Sequence, residues 1–185
     1  EYPQFREKKI ILFAPTFRGR GMQTAYYDYS RIDFDTLYAA LPSDTVVAFR
    51  MHHFVKEAVP ISDLHRDKFV DLTHYGDGLG LLRSVDLLVT DYSSIIYEYS
   101  LLERPMLFFA YDRDIYSATR GFHRPYDETA PGKVCLTFDS LVTAIINEDF
   151  EIEKIEKFRN ENFDHIDTHS SDRFIDWLLL GLPRD

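Results

Sequence analysis

The chain has 185 residues, 45% of them hydrophobic, enough apolar material for one sizeable core. Its formal net charge of −10 argues against nucleic acid as the main partner and against a strongly basic membrane patch. The lone Cys135 excludes an internal disulfide framework, and no apolar run is long enough to cross a bilayer as a helix.

Residue 1 is Glu and a strand follows almost at once, which reads as a segment of a longer protein. Ile10–Ala14 is an apolar first strand, ended by Pro15-Thr16. Phe17-Arg18-Gly19-Arg20-Gly21 is a basic loop whose spacing fits neither a dinucleotide fingerprint nor a P-loop. On such a loop Arg18 and Arg20 can reach an anion or simply face solvent. Tyr26-Tyr27-Asp28-Tyr29 has the composition of a cleft lining. The spacing of Phe34, Leu37, Tyr38 and Leu41 predicts a helix over 33–41, stopped by Pro42. Thr45–Phe49 is a second strand running into Arg50-Met51-His52-His53. The two His have no Cys or carboxylate at a familiar metal-ligand spacing, so no metal site is expected there.

Lys68–Leu72 reads as a third strand and 77–85 as a helix with Leu79, Leu82 and Val85 inward. Leu87-Leu88-Val89 is a fourth strand. It turns through Thr90-Asp91-Tyr92-Ser93-Ser94 into a helix expected to open near Ser93, because Ser and Asp are good caps. A helix start favours anions, and the two serine hydroxyls add donors. Glu98, one turn further along that face, is placed to hold ribose hydroxyls; the alternative is a surface carboxylate paired with Arg104 or Lys133. Met106–Ala110 is a fifth strand. Asp112-Arg113-Asp114 is a DxD triplet, better suited to a loop or helix start than to a metal. Residues 115–133 read as irregular, and 134–136 as a sixth strand. Helices are expected over 139–147, capped by Asp139 or Ser140, over 151–162, and over 172–182. The last is apolar on too much of its circumference for a solvated terminus.

Alternating strands and helices predict an α/β fold with a doubly wound, mostly parallel, Rossmann-like sheet, all 185 residues forming one domain. The unusual polar residues all follow strands: Arg18, Arg20, Arg50, His52, Ser93, Ser94 and Glu98. In such sheets that edge is the ligand crevice, and this mixture suits a diphosphate with a ribose attached.

Pro15-Thr16-Phe17-Arg18, Arg50-Met51-His52, Asp91-Tyr92-Ser93-Ser94, Arg120-Gly121-Phe122 and Pro131-Gly132 stand in an order that resembles the CDP-glycerol glycerophosphotransferases. These are teichoic acid primases and polymerases, with related capsule polymerases. The resemblance implies the carboxyl-terminal, donor-binding half of a GT-B-like architecture. It implies that Arg18, Arg50 and His52 meet the pyrophosphate, with His52 and Arg50 catalytic and His52 placed to protonate the leaving CMP. It further implies that Ser93 and Ser94 hold phosphate oxygens, and that Asp91 and Arg120 belong to the substrate site. Glu98 and Pro105 also match the spacing of an E…P element of GT-B donor domains, whose Glu holds the ribose. The implied partners are a CDP-linked donor and a lipid-linked or polymeric acceptor, the latter held mainly by an amino-terminal half outside this chain. The implied location is the cytoplasmic face of the membrane. Neither cofactor nor divalent metal is expected, since Arg, His and a helix start already supply positive potential. Two departures stand out: His53 where the family usually has Pro, and Ile166–Ser170 where it tends to carry Asp-Asp-Gly. A nucleotide-sugar glycosyltransferase and a non-catalytic nucleotide-binding module are the competing readings.

Overall fold

A computed structural model describes residues 5–183. Six strands form one fully parallel sheet: β1 (Lys9–Phe13), β2 (Thr45–Phe49), β3 (Phe69–Asp71), β4 (Leu87–Thr90), β5 (Met106–Phe109) and β6 (Lys133–Cys135). Their order is β3-β2-β1-β4-β5-β6, so the winding reverses between β1 and β4. β2, β4 and β5 are buried along their whole length, which explains their unbroken apolar runs.

The helices cover both faces. On one face, α1 (Phe34–Ala40) and α6 (Phe138–Ile146) bring Leu37, Leu141 and Ala144 against Phe13, Phe49 and Phe109. On the other, α2 (Gly78–Leu82), α3 (Ile95–Ser100) and α7 (Glu153–Asn162) bring Leu82, Tyr99 and Ile155 against Leu12, Leu88 and Phe108. Alternate residues of each strand therefore serve separate cores, as the two-residue strand period requires.

Four details differ from the sequence reading. The helix 77–85 is shorter, and Leu79 faces solvent while Leu81 is buried, because capping by Asp77 turns that side outward. α6 begins one residue early: Thr137 caps it in a reciprocal box with Ser140, which displaces Asp139. The stretch 115–133 holds most of α4 (Arg113–Thr119) and all of α5 (Tyr126–Thr129). The final helix, α8 (Ser170–Arg173), widens into a π-helical segment over Phe174–Leu179 that leaves Phe174, Leu178 and Leu179 exposed.

Candidate functional site

The loop after β1 and the turn after β4 are tied together where the winding reverses. The Thr90 hydroxyl donates to the Ala14 carbonyl at 2.7 Å, and the Thr16 N–H donates to Asp91 Oδ1 at 2.7 Å. Arg18, only 7% exposed, closes this knot. Its Nε and Nη2 donate to the two oxygens of Asp112 at 2.5 and 2.8 Å. Its Nη1 donates to the Thr16 carbonyl at 2.6 Å and lies 3.0 Å from Asp91 Oδ2. Burial works against the Arg18 charge, but Asp112 and Asp91 outweigh it and raise its pKa further. Burial also pushes the Asp91 carboxyl upward, opposed by Arg18 and by the N–H groups of Thr16 and Tyr92. Arg18 thus has fixed partners inside the fold rather than a guanidinium turned to a diphosphate. The DxD triplet divides similarly. Asp112 accepts from Arg18 and from the Tyr92 hydroxyl at 3.0 Å, and Asp114 pairs with Arg113 at 3.1 Å. Among the described residues no group of three or more His, Cys, Asp or Glu side chains could hold a metal ion.

The end of β2 is different. The Arg50 N–H joins the ladder through the Phe13 carbonyl at 2.9 Å, but its side chain has no ion pair among the described residues. Its Nε is buried and without a hydrogen-bond partner. The guanidinium lies over Gly78: a Cβ there would stand 2.7 Å from Nη2. His52 sits among rings, with Phe17 at 4.7 Å, Phe54 at 4.6 Å and His53 stacked at 4.3 Å. The Phe54 N–H donates to His52 Nδ1 at 3.2 Å, so the neutral ring carries its proton on Nε2. Burial, then His53 and Arg50, hold the His52 pKa below the usual imidazole value. Arg120 reaches this cluster from α4. Its guanidinium stands 5.0 Å from the Phe17 ring and 5.4 Å from Tyr116, and it donates to the Gly19 carbonyl. His52 and Arg120 therefore share one aromatic ring.

α3 starts at Ile95 with Ser94 at the cap position, one residue later than expected. The Ser93 hydroxyl accepts from the Ile95 N–H at 3.3 Å, a local bond that shapes the turn. The Ser94 side chain is exposed and makes no hydrogen bond among the described residues. Glu98 is exposed in the first turn. It pairs with neither Arg104, which donates to the Arg83 and Val85 carbonyls, nor Lys133, which pairs with Asp149.

Sequence reasoning missed the parts that hold these groups. Tyr92 stacks on Tyr116 at 3.9 Å, Tyr116 on Phe122 at 5.5 Å, and Phe122 on Tyr126 at 4.9 Å. The Tyr126 hydroxyl donates to the Asp91 carbonyl at 2.8 Å. The signal was present as three aromatics, Tyr116, Phe122 and Tyr126, within a stretch that otherwise reads as irregular. Gly78, the seat of Arg50, gave no signal.

Comparison with known proteins decides the lineage. The family described as CDP-Glycerol:Poly(glycerophosphate) glycerophosphotransferase matches residues 1–180. The chain belongs to this family. Within it, the chain is 43% identical to the teichoic acid ribitol-phosphate polymerase TarK of Staphylococcus aureus, over 95% of its own length and 34% of that protein. It is 40% identical to the poly(ribitol-phosphate) polymerase of Bacillus spizizenii, over 97% of its length and 29% of that protein. A solved structure of the wall teichoic acid polymerase TagF superposes with a TM-score of 0.73 at 32% identity, covering 92% of this chain and 42% of that one. Another TagF structure that matches equally well was soaked with CDPG. A glycerophosphotransferase-family chain of this length thus spans about a third of the curated relatives it matches. The likeness to a putative UDP-N-acetylglucosamine 2-epimerase from Listeria monocytogenes, TM-score 0.57 at 14% identity, shows the fold alone.

Proposed function

We propose that this chain is the donor-binding half of a transferase that moves a polyol phosphate from a CDP-linked donor to a growing polymer. One observation carries the reading. Within a family match over residues 1–180, the carboxyl edge of β2 and the start of α3 carry the Arg50 guanidinium, His52 Nε2 and the Ser94 hydroxyl with no hydrogen-bond or ion-pair partner among the described residues. Arg50 and His52 meet the diphosphate, Ser93 and Ser94 hold phosphate oxygens, Arg120 closes from α4, and Glu98 accepts from the ribose hydroxyls. Arg18 and Asp91 set the turn that carries the serines.

In the step itself an acceptor hydroxyl oxygen bonds to the β-phosphorus. The bond from that phosphorus to the bridging oxygen breaks, CMP departs with the electron pair, and the hydroxyl proton passes to a base in the amino-terminal half. The work on the donor side is stabilisation of the departing phosphate. The His52 tautomer fits that role, because Nε2–H donates to a phosphate oxygen while Nδ1 stays bound to the Phe54 N–H. This replaces protonation of CMP by His52 with a neutral hydrogen bond. We favour ribitol phosphate as the transferred group: relatives named as ribitol-phosphate polymerases are 40–44% identical and a ribitol-phosphate primase 36%, against 31–38% for those named for glycerol phosphate. Such a donor is used on the cytoplasmic face of the membrane. Among the described residues no helix is long and apolar enough to cross it.

Thermal shift with CDP-ribitol, CDP-glycerol, CMP-sialic acid and UDP-sugars tests the reading. Stabilisation by CDP-polyols is expected. Stabilisation by UDP-sugars alone makes the chain a sugar transferase half, and no shift with any nucleotide makes it a non-catalytic module. For Glu98, wild type should prefer CMP to 2′-deoxy-CMP and Glu98→Gln should narrow that preference.

A further inference from the structure

An arginine-lined pocket lies beside the donor edge. The loops after β1 and β5 enclose a pocket of about 530 Å³ whose wall alternates arginine and tyrosine. The Arg31 guanidinium stands 5.4 Å from the Tyr111 ring, and Arg18 stands 5.4 Å from the same ring. Arg18 is 5.7 Å from Tyr116, and Arg120 is 5.4 Å from Tyr116. Arg20 also lines the pocket. Four arginines line the pocket against three carboxylates, Asp28, Asp112 and the Asp91 behind Arg18, and among the arginines those three serve only Arg18 and Arg31, in a chain whose net charge is −10. Asp112 is bound by Arg18. Asp28 is held by Arg31 at 3.0 Å and by the Ser30 hydroxyl and N–H. Arg20 and Arg120 have no ion pair among the described residues, and the buried Tyr111 hydroxyl has no hydrogen-bond partner.

The pocket adjoins the donor elements through Arg120 and otherwise rests on different parts of the fold. Tyr27, Tyr29 and Tyr111 join its walls to the core face that carries α1 and α6, whereas α3, with Ser94 and Glu98, rises from the opposite face. Between them stands Phe17, with Arg120 over its ring at 5.0 Å and His52 at 4.7 Å.

We infer that this pocket holds a phosphodiester-linked polyol segment of the acceptor polymer. Guanidinium groups match phosphates and phenols match polyol hydroxyls; Arg20 and Arg120 are the guanidinium groups left for phosphates, and the tyrosines of the wall with the unpartnered Tyr111 hydroxyl are left for the polyol. A phosphate bound there lies one ring from His52, where the bond to CMP breaks. The inference rests on the proposed polyol-phosphate transfer.

Calorimetry on this chain with two probes, CDP-ribitol and a short synthetic ribitol-phosphate oligomer, tests it. Arg20→Ala and Arg31→Gln should each weaken oligomer binding about tenfold and flatten its salt dependence, leaving CDP-ribitol affinity unchanged. The Arg20 side chain has no ion pair among the described residues, so its variant keeps the test valid if Arg31→Gln unfolds. No oligomer binding by wild type, or oligomer affinity unchanged in Arg20→Ala, overturns the inference. So does a parallel loss of CDP-ribitol, which would make the pocket part of the donor site. If wild type ignores CDP-ribitol but binds the oligomer through Arg20, the donor reading fails and the polyanion pocket stands.

Discussion

Arg18 and Arg50 follow neighbouring parallel strands and look alike in the sequence, yet they sit in opposite circumstances. Arg18 is 7% exposed and held by Asp112, Asp91 and the Thr16 carbonyl. Arg50 lies on a glycine with its Nε unpartnered, and the His52 beside it donates to nothing through Nε2 among the described residues. A cation with its counter-charges inside the fold stabilises a particular loop arrangement. A cation left without them is available to an anion from outside. The same residue type after a strand therefore signals either structure or binding, and only the partners tell which.

The largest effect should come from breaking the satisfied side. Arg18→Ala leaves Asp91 and Asp112 facing one another without their cation, which should cost about 3–5 kcal/mol of stability. Chemical denaturation measures it, and a loss under about 1 kcal/mol would mean that the knot does not hold the two loops.

On the other side, His52→Ala should weaken CDP-ribitol binding by about 10- to 100-fold, the loss of one hydrogen bond to a charged group, with the melting temperature unchanged. The pH profile sharpens this. The His52 pKa is held below 6.5, so the ring stays neutral as pH rises through 6.5. Affinity for CDP-ribitol, whose diphosphate is a diester without an ionisation near that pH, should stay level across it. A fall in affinity as pH rises through 6.5 would point to an imidazolium contact instead. For stability the sign is opposite to that of a paired His. The unfolded chain takes up the His52 proton first, so stability is present above 6.5 and declines as pH falls from there through the folded-state value.

Gly78→Ala tests the seat of Arg50. The new methyl meets the far end of a flexible side chain, so the guanidinium moves aside and the fold is kept. Donor affinity should fall roughly fivefold, about 1 kcal/mol, with little change in melting. Smallest is Ser93→Ala, which removes the 3.3 Å bond to the Ile95 N–H and should cost about 0.5–1 kcal/mol of stability. Ser94→Ala should instead act on binding alone. Equal effects of the two substitutions on melting would erase the division of labour between the serines.

The sheet was legible because its four inner strands, β2, β1, β4 and β5, are apolar runs closed by turn residues, while the short outer strands Phe69–Asp71 and Lys133–Cys135 follow from their place in the alternation of strands and helices. The candidate residues at strand ends were legible as types, since Arg50, His52 and Ser94 are polar where a parallel sheet exposes only its edge. What was not legible is partnership. Nothing in Phe17-Arg18-Gly19-Arg20 announces that Arg18 turns inward to Asp112, a residue distant in sequence, while Arg20 stays at the pocket. α4 escaped because it lacks an apolar stripe: Ile115 is exposed, and Tyr116 docks by stacking on Tyr92. The late start of α3 and the Thr137 cap were missed because adjacent Ser, Thr and Asp residues compete for the same cap, and the backbone decides between them.

The central claim is that the carboxyl edge of β2 is built for a ligand rather than for the fold. The direct test is Arg50→Ala, with melting and CDP-ribitol titration run on one preparation beside wild type. The account predicts a melting temperature within a degree or so of wild type, since no side-chain hydrogen bond or ion pair among the described residues is lost, and a dissociation constant at least about tenfold higher. A clear drop in melting temperature with an unchanged dissociation constant would contradict it, and would place Arg50 with Arg18 among the residues that hold the fold.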